Sequence, residues 1–222
     1  MSFSMIIQMI ISELKKKNYF RYLQLLFLES KKTKRDIALI FLFEYEVVKI
    51  FYSTKEPLLR KVKYQWLIDE LGKKSSNFYL AQSLINSYKN LSIKKEIFEI
   101  LYDFQKIEDN MEYPIRNILF FKKINIIYNK IFLKIELRHK DTFSISFFSQ
   151  LMYFYYFKSE PKVFFYDEFN EIYMMLEVNK IDCFEKTFIE ICIKKAKNLE
   201  FLKISKLEYI LKLIFCMVFK SE

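Results

Sequence analysis

The chain has 222 residues, enough for one domain that buries about 70% of the surface its unfolded form exposes, so no disulfide or metal staple is required. One glycine, Gly72, and three prolines, Pro57, Pro114 and Pro161, leave hairpin turns and phosphate-cradling loops without their usual residues, which argues against Rossmann, P-loop and β-sandwich architectures. With 52% hydrophobic and 29% charged residues the chain is too apolar for disorder, and its net charge of +10 favours an acidic protein, anionic lipid or nucleic acid as partner.

In chain order, the uncharged stretch Met1 to Ser12 is expected to be a first helix rather than a signal peptide, because no lysine precedes it and no small-residue cleavage site follows. Asn18 to Leu28 sets Tyr19, Tyr22, Leu23, Leu26 and Phe27 at three- and four-residue spacing, one apolar helical face. Thr33 to Ser53 is apolar nearly all round and is therefore expected to be central. It ends before Pro57, since proline disfavours helix in the preceding residue. Leu58 to Leu71 is the next predicted helix, closed by Gly72 as a left-handed cap. Helices are further expected over Asn77 to Tyr88, Ser92 to Lys106, Pro114 to Glu136, Asp141 to Lys158, Asp167 to Val178, Cys183 to Lys197 and Ser205 to Lys220. No repeat and no long linker interrupts them, so the expected architecture is all-α and a single domain over residues 1–222. The longest uncharged run, Thr142 to Phe157, is too short and too polar for a membrane span.

Few residues offer chemistry. The only histidine, His139, cannot by itself supply a multi-histidine metal site or a triad, and it is expected at the surface. Cys183, Cys192 and Cys216 lack metal-ligand spacing and read as buried, reduced thiols of a cytoplasmic protein. Trp66, the only tryptophan, reads as a core anchor. Asp167, Glu168 and Glu171 could hold magnesium, but acids in a first helical turn are more simply complements to the helix dipole. Nucleic acid is disfavoured because the aromatics occupy core-facing positions. The positive charge itself is discounted: only five of 37 basic residues are arginine, and AT-rich codons produce such a lysine- and isoleucine-rich mixture without selection for a surface. Glu44 and Glu46 interrupt the most apolar helix, and a carboxylate there must be paired, hydrogen-bonded or open to a cavity.

Four segments carry a resemblance. They are F-R-Y at Phe20 to Tyr22, L-I-F-L-F-E-Y-E-V-V at Leu39 to Val48, K-E-P at Lys55 to Pro57, and V-K-Y-Q-W-L-I-D at Val62 to Asp69. Their order and spacing resemble the N-terminal region of the squalene/phytoene synthase family, in particular the divergent branch that includes mitochondrial complex I assembly factor 6. There the motifs read D-R-Y, A-L-Y-A-F-N-x-E-I-A, S-E-P and I-R-L-Q-W-W-R-D. Phe98 to Asp109 resembles the family's F-x-x-L-I-D-A-x-E-x-D, with Asp103 at the aspartate, whereas beyond Pro114 the likeness is faint and rests on Lys162 to Phe165. The resemblance implies an isoprenoid-synthase helical bundle in which Arg21, Tyr22, Gln65, Trp66 and Asp69 belong to the structural framework.

In the true synthases of that family two aspartate-rich helices hold magnesium against prenyl diphosphates, because a dense anion in an apolar cavity needs hard cations with fixed oxygen ligands. The positions matching the first motif are Val48, Lys49 and Tyr52, none a carboxylate, and Phe147 to Lys158, where the second is expected, contains no acid. The resemblance therefore implies no catalytic residue, no metal and no cofactor, with Glu46, Val48, Lys49 and Tyr52 bordering a residual cavity in which Glu46 pairs with Lys49 or Lys63. It further implies a scaffold or assembly factor for a protein client such as a respiratory-complex subunit, cytoplasmic or peripheral at the inner membrane face. The alternative is a magnesium-independent binder or transferase of a prenyl diphosphate or related anionic lipid, with Lys49, Arg60 and Lys63 as its fixed positive charge; magnesium would enter only if prenyl transfer persists.

Overall fold

The computed structural model describes residues 3–26, 31–107, 118–139, 183–197 and 210–211. The fold is all-α: eight helices are described, α1 (Phe3–Lys17), α2 (Tyr19–Leu26), α3 (Lys31–Ser53), α4 (Pro57–Gly72), α5 (Tyr79–Leu91), α6 (Lys94–Gln105), α7 (Ile118–His139) and α8 (Cys183–Lys197), with no strand among the described residues. The chain forms two compact units, Met1–Glu108 with Lys130–Thr142, and Asp109–Asn129 with Phe143–Glu222. The helices expected at Asp141 to Lys158, Asp167 to Val178 and Ser205 to Lys220 lie outside the described residues, apart from 210–211, as do Asp167, Glu168, Glu171 and Cys216.

In the first unit α3 is the hub, packed against α1, α2, α4, α5 and α6. The cause is in its sequence: Ile37 to Phe43, Val47, Val48 and Phe51 are buried, an apolar surface so wide that neighbours must cover it from several sides. The first helix runs beyond Ser12 to Lys17. No proline or glycine stops it, Leu14 is buried, and Lys15 to Lys17 complement the negative end of the dipole. A single residue separates α1 from α2: Asn18, whose side-chain Oδ1 accepts the Arg21 backbone N–H at 3.1 Å, as an N-cap does. Glu56 is extended before Pro57, which takes the first turn of α4 where its missing N–H costs nothing.

The aromatic side chains of α3, α4 and α6 meet around Phe104, whose ring centroid lies 5.9 Å from that of Phe51 and 5.8 Å from that of Tyr64. Buried rings at these separations add directional attraction to the area they remove from water. Tyr64 is fully buried, and its hydroxyl donates to the Val47 carbonyl at 2.8 Å, so its one polar atom is satisfied by α3. The C-terminal half of α7 belongs to the same unit, where Phe132 lies 6.0 Å from Phe41. In the second unit, α8 buries Phe188, Ile189, Ile191 and Cys192, in line with the expectation of a buried thiol.

Gly72 is not the left-handed cap that its position after α4 suggests. No glycine has positive φ, and the chain leaves α4 through Lys73 at φ −66° and ψ 160°. Glu70 receives both Lys73 and the Ser76 hydroxyl, and Gln82 accepts the Ser76 N–H at 2.7 Å, so side chains close this turn. Among the described residues the left-handed one is Ser92, at φ 51°, between α5 and α6. Its carbonyl accepts from Lys134, which also pairs with Glu96 at 2.8 Å. Two substitutions should therefore both stabilise the fold, each by about 0.5–1 kcal/mol: Ser92→Gly, which relieves a conformation that side chains resist, and Gly72→Ala, which removes a flexible residue from a helix end. A Cβ at position 72 meets nothing within 4 Å. Thermal melts of the two variants check this; a lowered melting temperature for Ser92→Gly would contradict the assigned backbone.

Candidate functional site

Arg21 and Glu44 form a fully buried ion pair between α2 and α3. The guanidinium donates through Nε to Glu44 Oε2 at 3.0 Å and through Nη2 to Oε1 at 2.7 Å, while Nη1 donates to Gln24 Oε1 at 2.8 Å. Its Cζ lies over the Phe41 ring, 4.6 Å from the centroid. This two-pronged arrangement satisfies a carboxylate that the apolar surroundings would otherwise penalise. That a carboxylate at Glu44 must be paired, hydrogen-bonded or open to a cavity was legible in the sequence. The identity of that partner was not, because it lies on another helix.

Two residues further along α3, Glu46 pairs with Lys17 at 2.6 Å and with Lys49 at 3.6 Å, and Lys17 also reaches Glu13 at 2.6 Å. Burial works against the charge on Lys17, but hydrogen bonds from its ammonium to Glu13 and Glu46 outweigh that and raise its pKa above the usual 10.5. Of the two partners expected for Glu46, Lys49 is present; Lys63 points elsewhere, and Lys17 takes its place. Burial, helped by the nearby Glu13 charge, raises the Tyr79 phenol well above its usual range. The four residues expected to border a cavity fall in different settings. Val48 is fully buried in the core, Glu46 is half-buried, the Lys49 side chain is half exposed, and Tyr52 sits edge-on to Phe51 at 5.5 Å.

At the α3–α4 junction, Arg60 Nε donates to the Thr54 carbonyl at 3.3 Å and Lys63 Nζ donates to Thr54 Oγ1 at 2.9 Å. The Arg60 Cζ also lies over the Phe51 ring, 4.8 Å from its centroid. Both cations thus gather just past the negative end of α3, where the dipole favours them. Arg60 and Lys63 come together here, whereas Lys49 is engaged by Glu46.

Among the framework residues, Tyr22 lies against Tyr19 with ring centroids 5.9 Å apart. Gln65 donates to Asp69 at 2.8 Å and accepts from Gln105 of α6 at 2.9 Å, all near the surface. Trp66 corrects the expectation of a core anchor: it is half exposed, touching Phe78 at 5.2 Å between centroids. The reason is that α4 is apolar on two faces. Tyr64, Leu67, Ile68 and Leu71 face the core, while Leu58, Leu59, Val62 and Trp66 occupy the opposite side. The four-residue series at 58, 62 and 66 is the signal in the sequence that marks the second face.

Magnesium fits the matched α3 positions poorly. Val48 offers no ligand atom, Lys49 is itself a cation, and both nearby carboxylates, Glu44 and Glu46, are held by internal cations. No group of three His, Cys, Asp or Glu side chains suited to a metal is found among the described residues. Comparison of the chain with protein-family models, with curated proteins and with solved structures gives no match.

Proposed function

We propose that the protein is a non-catalytic scaffold or assembly factor built on a squalene/phytoene-synthase-like helical framework, with a protein client of the respiratory-complex type. One observation carries the reading: every carboxylate on α3 is neutralised from within, Asp36 by Arg35 at 2.5 Å, Glu44 by Arg21 at 2.7 Å and Glu46 by Lys17 at 2.6 Å. A helix that has committed its acids to internal cations holds its neighbours in place and has none left to grip a metal–diphosphate. The pairing of Arg21 with Glu44 also joins two of the segments that carry the resemblance, consistent with a framework role for Arg21.

The test has two arms. Incubation with farnesyl diphosphate and magnesium is expected to release no diphosphate and form no product, and cross-linking from the native cell followed by mass spectrometry is expected to recover respiratory-complex subunits. Product formation would overturn the scaffold reading.

A second reading, magnesium-independent binding of a prenyl diphosphate, is favoured by the convergence of Arg60 and Lys63 on Thr54. It predicts farnesyl diphosphate binding without magnesium that weakens at least tenfold in Lys63→Glu, about what loss of one charge-assisted contact removes. Unchanged affinity in that variant would dismiss it.

A further inference from the structure

The outward face of α4 presents apolar side chains to solvent: Leu58 is 68% exposed, Val62 56%, Trp66 49% and Leu59 43%. Leu58, Val62 and Trp66 stand four residues apart in a row, the kind of ridge by which one helix packs on another. No described helix is long and apolar enough to cross a membrane, so the ridge is not part of a span. Opposite charges bracket it: Lys55 is exposed just ahead of the helix and Asp69 is exposed near its end, with Val62 midway between them in the chain.

A face that pairs with a second copy of itself must be complementary to itself, because a twofold axis presents the same patch from both sides. The α4 face meets that requirement when reversed. Centred on Val62, each position meets the one equally far along in the other direction. Val62 then faces the partner's Val62, Leu58 faces the partner's Trp66 and Lys55 faces the partner's Asp69, and symmetry makes each of the last two contacts twice. A parallel pairing would instead set lysine on lysine and aspartate on aspartate. The area also suffices. At these exposures the four apolar side chains offer roughly 400 Å², and since about 65% of a homodimer interface is apolar, the face with its polar rim buries about 600 Å² per partner, at the lower end of the range for a specific pair. Tryptophan near the centre of such a patch is a residue type that often carries much of the binding energy.

We propose that the outward face of α4 is a homodimer interface, in which two copies pair antiparallel about a twofold axis at Val62, with Leu58 against the partner's Trp66 and Lys55 against the partner's Asp69. This inference does not depend on the scaffold reading: a search that finds no client leaves it standing, and its own failure leaves client binding untouched.

Sedimentation of the full-length protein is expected to show a monomer–dimer equilibrium with a Kd in the micromolar range. Trp66 is the only tryptophan in the chain, so its emission should shift to the blue as concentration rises through that Kd. Val62→Asp sets two carboxylates face to face at the axis and should weaken association at least a hundredfold, while the melting temperature of the dilute protein stays unchanged. Charge reversal reads the direction of pairing. Lys55→Glu and Asp69→Lys should each weaken the dimer about tenfold, because each replaces two attractive contacts by two repulsive ones, and the double variant should return to the parent Kd. Any of three results overturns the proposal: a chain that stays monomeric up to about 200 µM, whatever else its α4 face binds; a dimer that survives Val62→Asp; or a double variant that associates no more tightly than the two single ones.

Discussion

Replacing Arg21 by alanine is expected to destabilise the protein by about 3–5 kcal/mol, among the largest effects of any single substitution. Glu44 would be left fully buried without its two guanidinium bonds, and Gln24 would lose the donor to its Oε1. Glu44→Ala should cost a similar amount by removing both carboxylate bonds from the buried guanidinium. The informative variant is the double replacement Arg21→Met with Glu44→Leu. It removes both charges and fills the space with hydrocarbon, so it should lie close to the wild type or above it. Urea unfolding of the three variants and the parent completes the cycle; a double variant as unstable as either single one would show that packing around the pair, and not the uncompensated charge, sets the loss.

The second large effect is expected at Tyr64. Tyr64→Ala opens a cavity where α3, α4 and α6 meet and should cost about 3–5 kcal/mol, whereas Tyr64→Phe loses one hydrogen bond to the Val47 carbonyl and should cost about 1 kcal/mol. The phenol also sets a pH dependence. Burial raises its pKa well above the usual 10.0, so the native state retains a proton that the unfolded state releases. Stability from this group is therefore complete below pH 10 and declines as pH rises past 10 toward the folded-state value. Lys17, raised above 10.5 in the fold, adds a loss of the same sign as pH rises through that region. Denaturation followed across alkaline pH should show a shallower decline in Tyr64→Phe than in the parent; identical slopes would argue that Tyr64 does not titrate from a buried position.

Much of the helical layout was readable before any coordinates. The scarcity of glycine and proline, and the apolar periodicity up to Gln105, leave few alternatives to helix, and the all-round apolarity of α3 marks it as central. Harder to read were pairings across helices. Arg21 and Glu44 lie 23 positions apart, and nothing local to either names the other. Lys17 was hidden for a different reason: it sits in a run of three lysines that reads as a solvated helix end, yet one of the three turns inward to two carboxylates. Trp66 misled because a large apolar residue among apolar neighbours is usually interior, and only the three-dimensional course of α4 shows that its helix has a second, outward apolar side. Gly72 misled because glycine after a helix usually adopts positive φ, whereas here the chain leaves α4 through an extended Lys73.

The shortness of α2, which lies between Asn18 and the start of α3 at Lys31, carries a further consequence. A segment so short does not hold helical shape alone in water, and its anchor to α3 is a charge that hydrocarbon tolerates only when matched. Release from α3 therefore means unwinding, so shape and attachment are gained and lost together. Amide hydrogens of α2 should exchange with solvent as one block, at the rate set by parting from α3, with no slower-exchanging remnant surviving detachment.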